Sequence, residues 1–404
     1  MSRKAISRAS IIATLILSIT IGGRTADAYS VLAHESIIDS VWNDSLKPTL
    51  LKRFRATPEE LKEARAYAYG GSIVHDMGYY PFGSKLYSDL VHYVRSGDFI
   101  EALLSDARDL NEYAFALGAL AHYAADNDGH SMAVNPSVAI LYPKLRSRYG
   151  SAVTYEDNPS AHLKTEFGFD VVQLARGRYA KQAYHDFIGF KISKPALERA
   201  FVKTYGIELK DIFPSVDLAI GTFRRAVSTV IPELTKVAWE MKKDEIQRVA
   251  PNATREDFIY TLSRESYEKE WGKDYGKPGA FDKALAAFLS IMPKVGPLKP
   301  VAFKEPTTQT EQKFVDSFEA TVALYRRLLT AQRAGRLELK NLNFDTGRMA
   351  RAGEYKLADK AYAKLLTKSG TIPKETRAGG LEPASKPVKG AALKRKSERL
   401  NSEH

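Results

Sequence analysis

The stretch FALGALAHYAADNDGH, residues 115–130, decides how this chain is read. Its first eleven residues are mostly small and apolar and show no strand-like alternation. That describes a helix able to approach its neighbours closely in a packed interior. His122 and Asp126 stand at i and i+4, so a helix projects both from one face about one turn apart. Asn127, Asp128 and Gly129 favour ending the helix, which would leave His130 on a turn that can re-aim its ring. A single His–Asp pair also ties helices together in ordinary cores, so its chemistry depends on what the rest of the chain adds.

Downstream, HLKTEFG repeats the i,i+4 arrangement with His162 and Glu166. Seven of the eight histidines fall between residues 34 and 185, and the chain has no cysteine. Any metal must therefore sit on imidazole and carboxylate, a donor set that suits a catalytic rather than a purely structural zinc site.

The surrounding sequence reads as helix. Apolar residues recur at three- and four-residue spacing over 58–69, 86–94, 99–125 and 213–243, with Pro232 expected to kink the last of these. The predicted fold class is all-α. A break at 248–256 precedes a histidine-free region, 250–366, expected to be a helical accessory extension. It has helices at 280–291 and 312–334 around a proline-rich stretch, 293–306. From Ser369 the sequence turns to Pro, Gly, Lys and Ser and is expected to be a disordered basic tail, 369–404.

At the other end, Arg3, Lys4 and Arg8 precede an apolar run over 11–21, followed by Ala26-Asp27-Ala28. This is the pattern of a secretory signal, residues 1–28, cleaved between Ala28 and Tyr29. The run is shorter than the ~20 residues that span a bilayer. With no disulfide framework, the expectation is an exported bacterial protein, periplasmic or secreted.

HYAADNDGH and HLKTEFG together resemble the signature of the zinc-dependent phospholipase C family and its relatives, the single-strand-specific zinc nucleases. That signature runs H-Y-x-x-D, a further His, then H-x-x-x-E in phospholipases or H-x-x-x-D in nucleases. The resemblance implies a multi-helix domain, here 29–247, holding three zinc ions. The first ligand is the amino group and carbonyl of the mature N-terminal residue. Cleavage before Tyr29 makes His34 the sixth mature residue, where the nucleases carry a histidine. An α-amine with a pKa near ~8 binds zinc readily but exists only after processing. Tyr29 stands where the family usually has Trp, and backbone atoms do the binding.

The pattern also needs an Asp after a Gly-rich turn and a His beyond it, which Gly70-Gly71, Asp76 and His92 supply. By resemblance, Asp76, His92, His122 and Asp126 hold one zinc. Tyr29, His34 and a bridging Asp126 hold another, and His130, His162 and Glu166 the third. Asp76 is in addition the candidate catalytic group, orienting water or acting as general base. His75 is expected to support its neighbour Asp76, and no role is assigned to His185 or His404. One departure stands out: the signature's third ligand falls at Met132, and His130 lies two residues earlier, while Asn135 keeps the place of the closing Asn.

The implied activity is a secreted zinc-dependent phosphodiester hydrolase using zinc-bound hydroxide for in-line attack on phosphorus. Glu166 in place of Asp and the lack of cysteine lean toward phospholipase C. The alternatives are a single-strand nuclease and a catalytically inactive zinc-binding surface or scaffold protein. Formal charge is +12, and removal of the signal takes four basic residues and one acidic, leaving +9. Such an excess draws a protein to anionic surfaces. The expected partners are a phospholipid or other phosphodiester substrate, with peripheral contact to an anionic membrane surface, nucleic acid being the less favoured.

Overall fold

A computed structural model describes residues 31–178, 189–255 and 303–370. The signal segment with Tyr29, the expected helix at 280–291 and the basic tail from 371 lie outside these residues.

Helices dominate, as the periodicity predicts. α1 (Val31–Val41) and α2 (Lys47–Arg53) lead into α3 (Pro58–Ile73), which Thr57 opens with a capping box to Glu60. A 3₁₀ segment, Val74–Tyr79, connects to α4 (Lys85–Tyr93). The expected run 99–125 is two helices, α5 (Ser96–Asp106) and α6 (Leu110–Asp128). The break is local chemistry: the extended Asp109 accepts the Glu112 N–H at 2.8 Å, and the Glu112 carboxylate accepts the Arg108 N–H at 2.8 Å. Then come α7 (Asn135–Leu141), α8 (Pro143–Tyr149), α9 (Pro159–Ala175) and α10 (Lys194–Tyr205). α11 (Val216–Arg225) passes into a π-helical turn, Ala226–Val230, directly ahead of α12 (Ile231–Val249). The kink expected at Pro232 falls instead at Lys242, where φ of −132° and ψ of 24° leave helical geometry inside α12.

α3 and α6 form the centre of the molecule, and their contact explains the small residues that open the sequence reading. A Cβ on Gly118 would fall 2.0 Å from the Ala68 carbonyl oxygen, and one on Gly71 would fall 1.9 Å from that of Phe115. The two backbones touch. Gly70 and Gly71 accordingly lie inside α3 and do not form the turn expected there, because they serve close approach rather than chain reversal.

The region beyond residue 303 is not a separate body. α13 (Thr308–Arg333) packs against α6 and α1, and Phe314, Tyr325 and Leu329 enter the same core as Phe115 and Leu120. A short antiparallel hairpin follows, β1 (Leu342–Asn343) with β2 (Arg348–Met349), and then α14 (Lys356–Lys368), which packs on α4. The hairpin turn needs Gly347, whose φ of +67° puts it in the left-handed region and whose Cβ would lie 2.9 Å from the Asn127 carbonyl. No helix among the described residues is long and apolar enough to cross a membrane.

Candidate metal centre

Four elements bring the first set of polar side chains together inside this core. α1 supplies His34, the 3₁₀ segment Asp76, α4 His92, and α6 both His122 and Asp126, and all are fully or almost fully buried. His122 Nε2 lies 3.1 Å from Asp126 Oδ2, His92 Nε2 is 3.5 Å from the same oxygen and 3.3 Å from Asp76 Oδ1, and His34 Nε2 is 3.5 Å from Asp126 Oδ1. Two overlapping triads, His34–Asp76–His122 and His92–His122–Asp126, each place candidate ligand atoms within 4.8 Å of one another.

The tautomers follow from the backbone. His92 Nδ1 faces the Ser88 carbonyl at 2.7 Å, and His122 Nδ1 faces that of Ser72 at 2.8 Å. A carbonyl only accepts, so both Nδ1 atoms carry the proton. The two Nε2 atoms, 3.2 Å apart, then point lone pairs at each other beside a buried carboxylate. That arrangement is repulsive unless a proton or a metal cation lies between them. Two imidazole nitrogens on one tetrahedral zinc stand ~3.3 Å apart. The residues therefore fit the ion that the ligand pattern implies.

Protonation agrees with that fit. Burial, reinforced by His122, lowers the His34 pKa well below its ordinary value, so this ring is neutral, the form that ligates metal. Burial acts against protonation of His92 too, yet hydrogen bonding to Asp126 and Asp76 pushes it up to about 10, and a bound cation would take the place of that proton. Burial likewise opposes ionisation of Asp126, but His122 holds its carboxyl well below the usual range. His75, expected to play a supporting part, stacks on His122 with ring centroids 4.2 Å apart and packs edge-on to His92. Its carbonyl accepts the Ser88 hydroxyl at 2.5 Å, which ties the 3₁₀ segment bearing Asp76 to α4.

The second set lies one turn further along. α6 does not end in the expected turn at 127–129. It passes into a π-helical segment, Gly129–Val134, and on into α7, because Ala133 and Val134 are buried and hold the chain on the core. The wider π turn rotates His130 inward and leaves Met132, the position that the signature would favour, 41% exposed. His130 Nε2 is 3.7 Å from Glu166 Oε1, and His162 Nδ1 is 2.7 Å from the same oxygen. These three make a further potential metal group.

Sequence reasoning missed one residue here. Asp345, from the turn between β1 and β2, is fully buried, with Oδ1 3.2 Å from His130 Nδ1 and 3.5 Å from His162 Nε2. Burial would raise its pKa, but His130 and His162 hold it far below the usual carboxylate range. Its neighbour Phe344 is equally buried and packs on His75, His92, His122 and Tyr123. The sequence carries one signal for this element, the turn-forming Asp345-Thr346-Gly347.

Every candidate from His34 to Glu166 thus lies in one buried constellation, while Tyr29, His185 and His404 fall outside the described residues. Residues 33–214 match the family model for zinc dependent phospholipase C. No curated protein and no solved structure matches the chain.

Proposed function

We propose that this chain, which carries a zinc-dependent phospholipase C family domain over residues 33–214, is an exported hydrolase of phospholipids acting at the phosphodiester bond. The observation that carries the reading is the convergence of the His92 and His122 Nε2 atoms, 3.2 Å apart, on the buried Asp126 carboxylate.

In this reading Asp76, His92, His122 and Asp126 hold one zinc, His34 shares Asp126 in holding a second together with the mature N-terminus, and His130, His162 and Glu166 hold a third. Bound zinc supplies Lewis acidity toward phosphate oxygens and brings the pKa of water down to near ~7. Asp126 turns Oδ1 toward His34 and Oδ2 toward His92 and His122, so one carboxylate would serve both ions. Asp76 holds a carboxylate oxygen at the edge of the first group, where it accepts a proton from water or fixes the direction of attack. The stacked rings of His34, His122 and His75 form one wall, and Phe344 lies against that wall and excludes water behind it. Glu166 in place of Asp and the absence of cysteine support a lipid over a nucleic acid.

The test uses protein processed to begin at Tyr29, incubated with phosphatidylcholine vesicles and separately with single-stranded DNA, each with and without chelator. Chelator-sensitive release of phosphocholine is expected. Cleavage of DNA with the lipid intact would overturn the choice of substrate, and full zinc loading with neither product would overturn the activity.

A further inference from the structure

We infer that Asp345, contributed by the C-terminal hairpin outside the family-matched segment, positions His130 and His162 and selects their tautomers, so that the third zinc group is completed only when the hairpin docks. The inference rests on the zinc reading above and extends it to residues that no feature of the signature contains.

The geometry is two-sided. Glu166 Oε1 faces His130 Nε2 at 3.7 Å and His162 Nδ1 at 2.7 Å, and Asp345 Oδ1 faces the opposite nitrogens, His130 Nδ1 at 3.2 Å and His162 Nε2 at 3.5 Å. Each ring therefore stands between two carboxylates. Which one serves the metal is decided by the network behind Asp345. Its Oδ2 accepts the Tyr155 N–H at 2.9 Å and the Tyr355 hydroxyl at 2.6 Å. Its own N–H donates to Asn343 Oδ1 at 3.0 Å. Its carbonyl accepts Asn135 Nδ2 at 2.7 Å, which turns Asn135 Oδ1 toward His162 Nε2 at 2.8 Å. A carboxylate held this firmly from behind is an orienting group rather than a mobile ligand.

The proton positions follow. Asp345 Oδ1 lies 3.2 Å from His130 Nδ1, so the carboxylate favours the proton on that nitrogen and leaves the His130 Nε2 lone pair toward Glu166. Asn135 Oδ1 takes a hydrogen bond from His162 Nε2–H, leaving the His162 Nδ1 lone pair toward the same Glu166. Two lone pairs and a carboxylate oxygen then converge on one point, with the two histidines in opposite tautomers. An outer carboxylate of this kind also raises imidazole basicity, and its loss typically weakens metal binding ~10–100-fold. Asp345 is fully buried, and its ion-pair partners among the described residues are these two imidazoles. Its charge thus faces the metal group through Oδ1, while Oδ2 is held by the Tyr155 N–H and the Tyr355 hydroxyl.

The experiment compares the full processed chain with D345N. Zinc content is followed by elemental analysis against rising chelator, alongside far-UV circular dichroism. The variant is expected to lose one of three zincs at ~10–100-fold lower chelator while keeping the other two and its helicity. A second measurement needs no variant: long-range proton–nitrogen correlation spectra of the zinc-loaded wild type, with histidines labelled and assigned. His130 is expected protonated at Nδ1 and His162 at Nε2. Equal chelator resistance of D345N and a zinc-loaded wild type, or the same tautomer on both rings, would overturn the inference alone. A wild-type chain that binds no zinc would overturn the functional reading with it.

Discussion

The two halves of the metal centre are built from the same residue types but oriented by different means. In the half around Asp126, His92 and His122 are fixed by the carbonyls of Ser88 and Ser72, backbone groups of α4 and α3 that exist as soon as those helices form. In the half around Glu166, His130 and His162 are oriented by the side chains of Asp345 and Asn135, and Asp345 arrives from beyond α13. The first half is a property of the helical core; the second is a property of the whole chain. The lesson is that a ligand pattern contained in one domain does not imply a site completed by that domain.

The strongest way to break this comparison is at Asp126. Its carboxylate is buried among three imidazoles, and removing one partner of a buried charge pair costs ~3–5 kcal/mol, equivalent to about 10²–10⁴-fold in an equilibrium constant. D126N is expected to lose the two zincs it serves and all hydrolysis, while the zinc at His130, His162 and Glu166 stays. Zinc content after gel filtration reads this directly. Release of all three ions together would show that the halves are not separable.

That contrast also explains what could be read from the sequence. His122 with Asp126, and His162 with Glu166, were legible because i,i+4 spacing on a helix fixes their relation before any tertiary structure is known. The break between α5 and α6 was written in Asp109-x-x-Glu112, a capping signal masked by apolar periodicity that runs on across it. The π-helical stretch at His130 was not legible, because Asn127-Asp128-Gly129 favours a stop and only burial of Ala133 and Val134 overrides it. Asp345 was out of reach for a different reason. Its strands are two residues each, too short for alternation to register, and a turn signal does not say what the turn touches.

The next largest effect tests the apolar side of the same hairpin. Phe344 is fully buried against the rings of His92 and His122, and its N–H donates to the His92 carbonyl at 3.1 Å. F344A leaves a cavity worth ~3–5 kcal/mol, and for a domain of this size a fall in Tm of roughly 6–20 °C follows. Because the carbonyls that orient His92 and His122 belong to α4 and α3, their zinc is expected to stay bound in the folded variant. Calorimetry and zinc content measured on one preparation separate the two effects. Loss of that zinc at temperatures where helicity is intact would mean that the hairpin supports both halves and the contrast fails.

The smallest effect is the most discriminating. The Tyr355 hydroxyl donates to Asp345 Oδ2 at 2.6 Å, and burial raises its pKa well above the ordinary value, so it acts as a donor throughout the accessible range. Y355F removes that donor and keeps the ring, leaving the Tyr155 N–H alone behind Asp345. A hydrogen bond to a charged group contributes ~1.5–3 kcal/mol, but only the part transmitted through Asp345 to the imidazoles reaches the metal. The expected result is therefore a weakening of the third zinc by less than about tenfold, with the pair at Asp126 unmoved. A larger loss than D345N gives would place the control of this site at Tyr355 itself. No change at all, beside a clear effect of D345N, would show that one backbone donor suffices to aim the carboxylate.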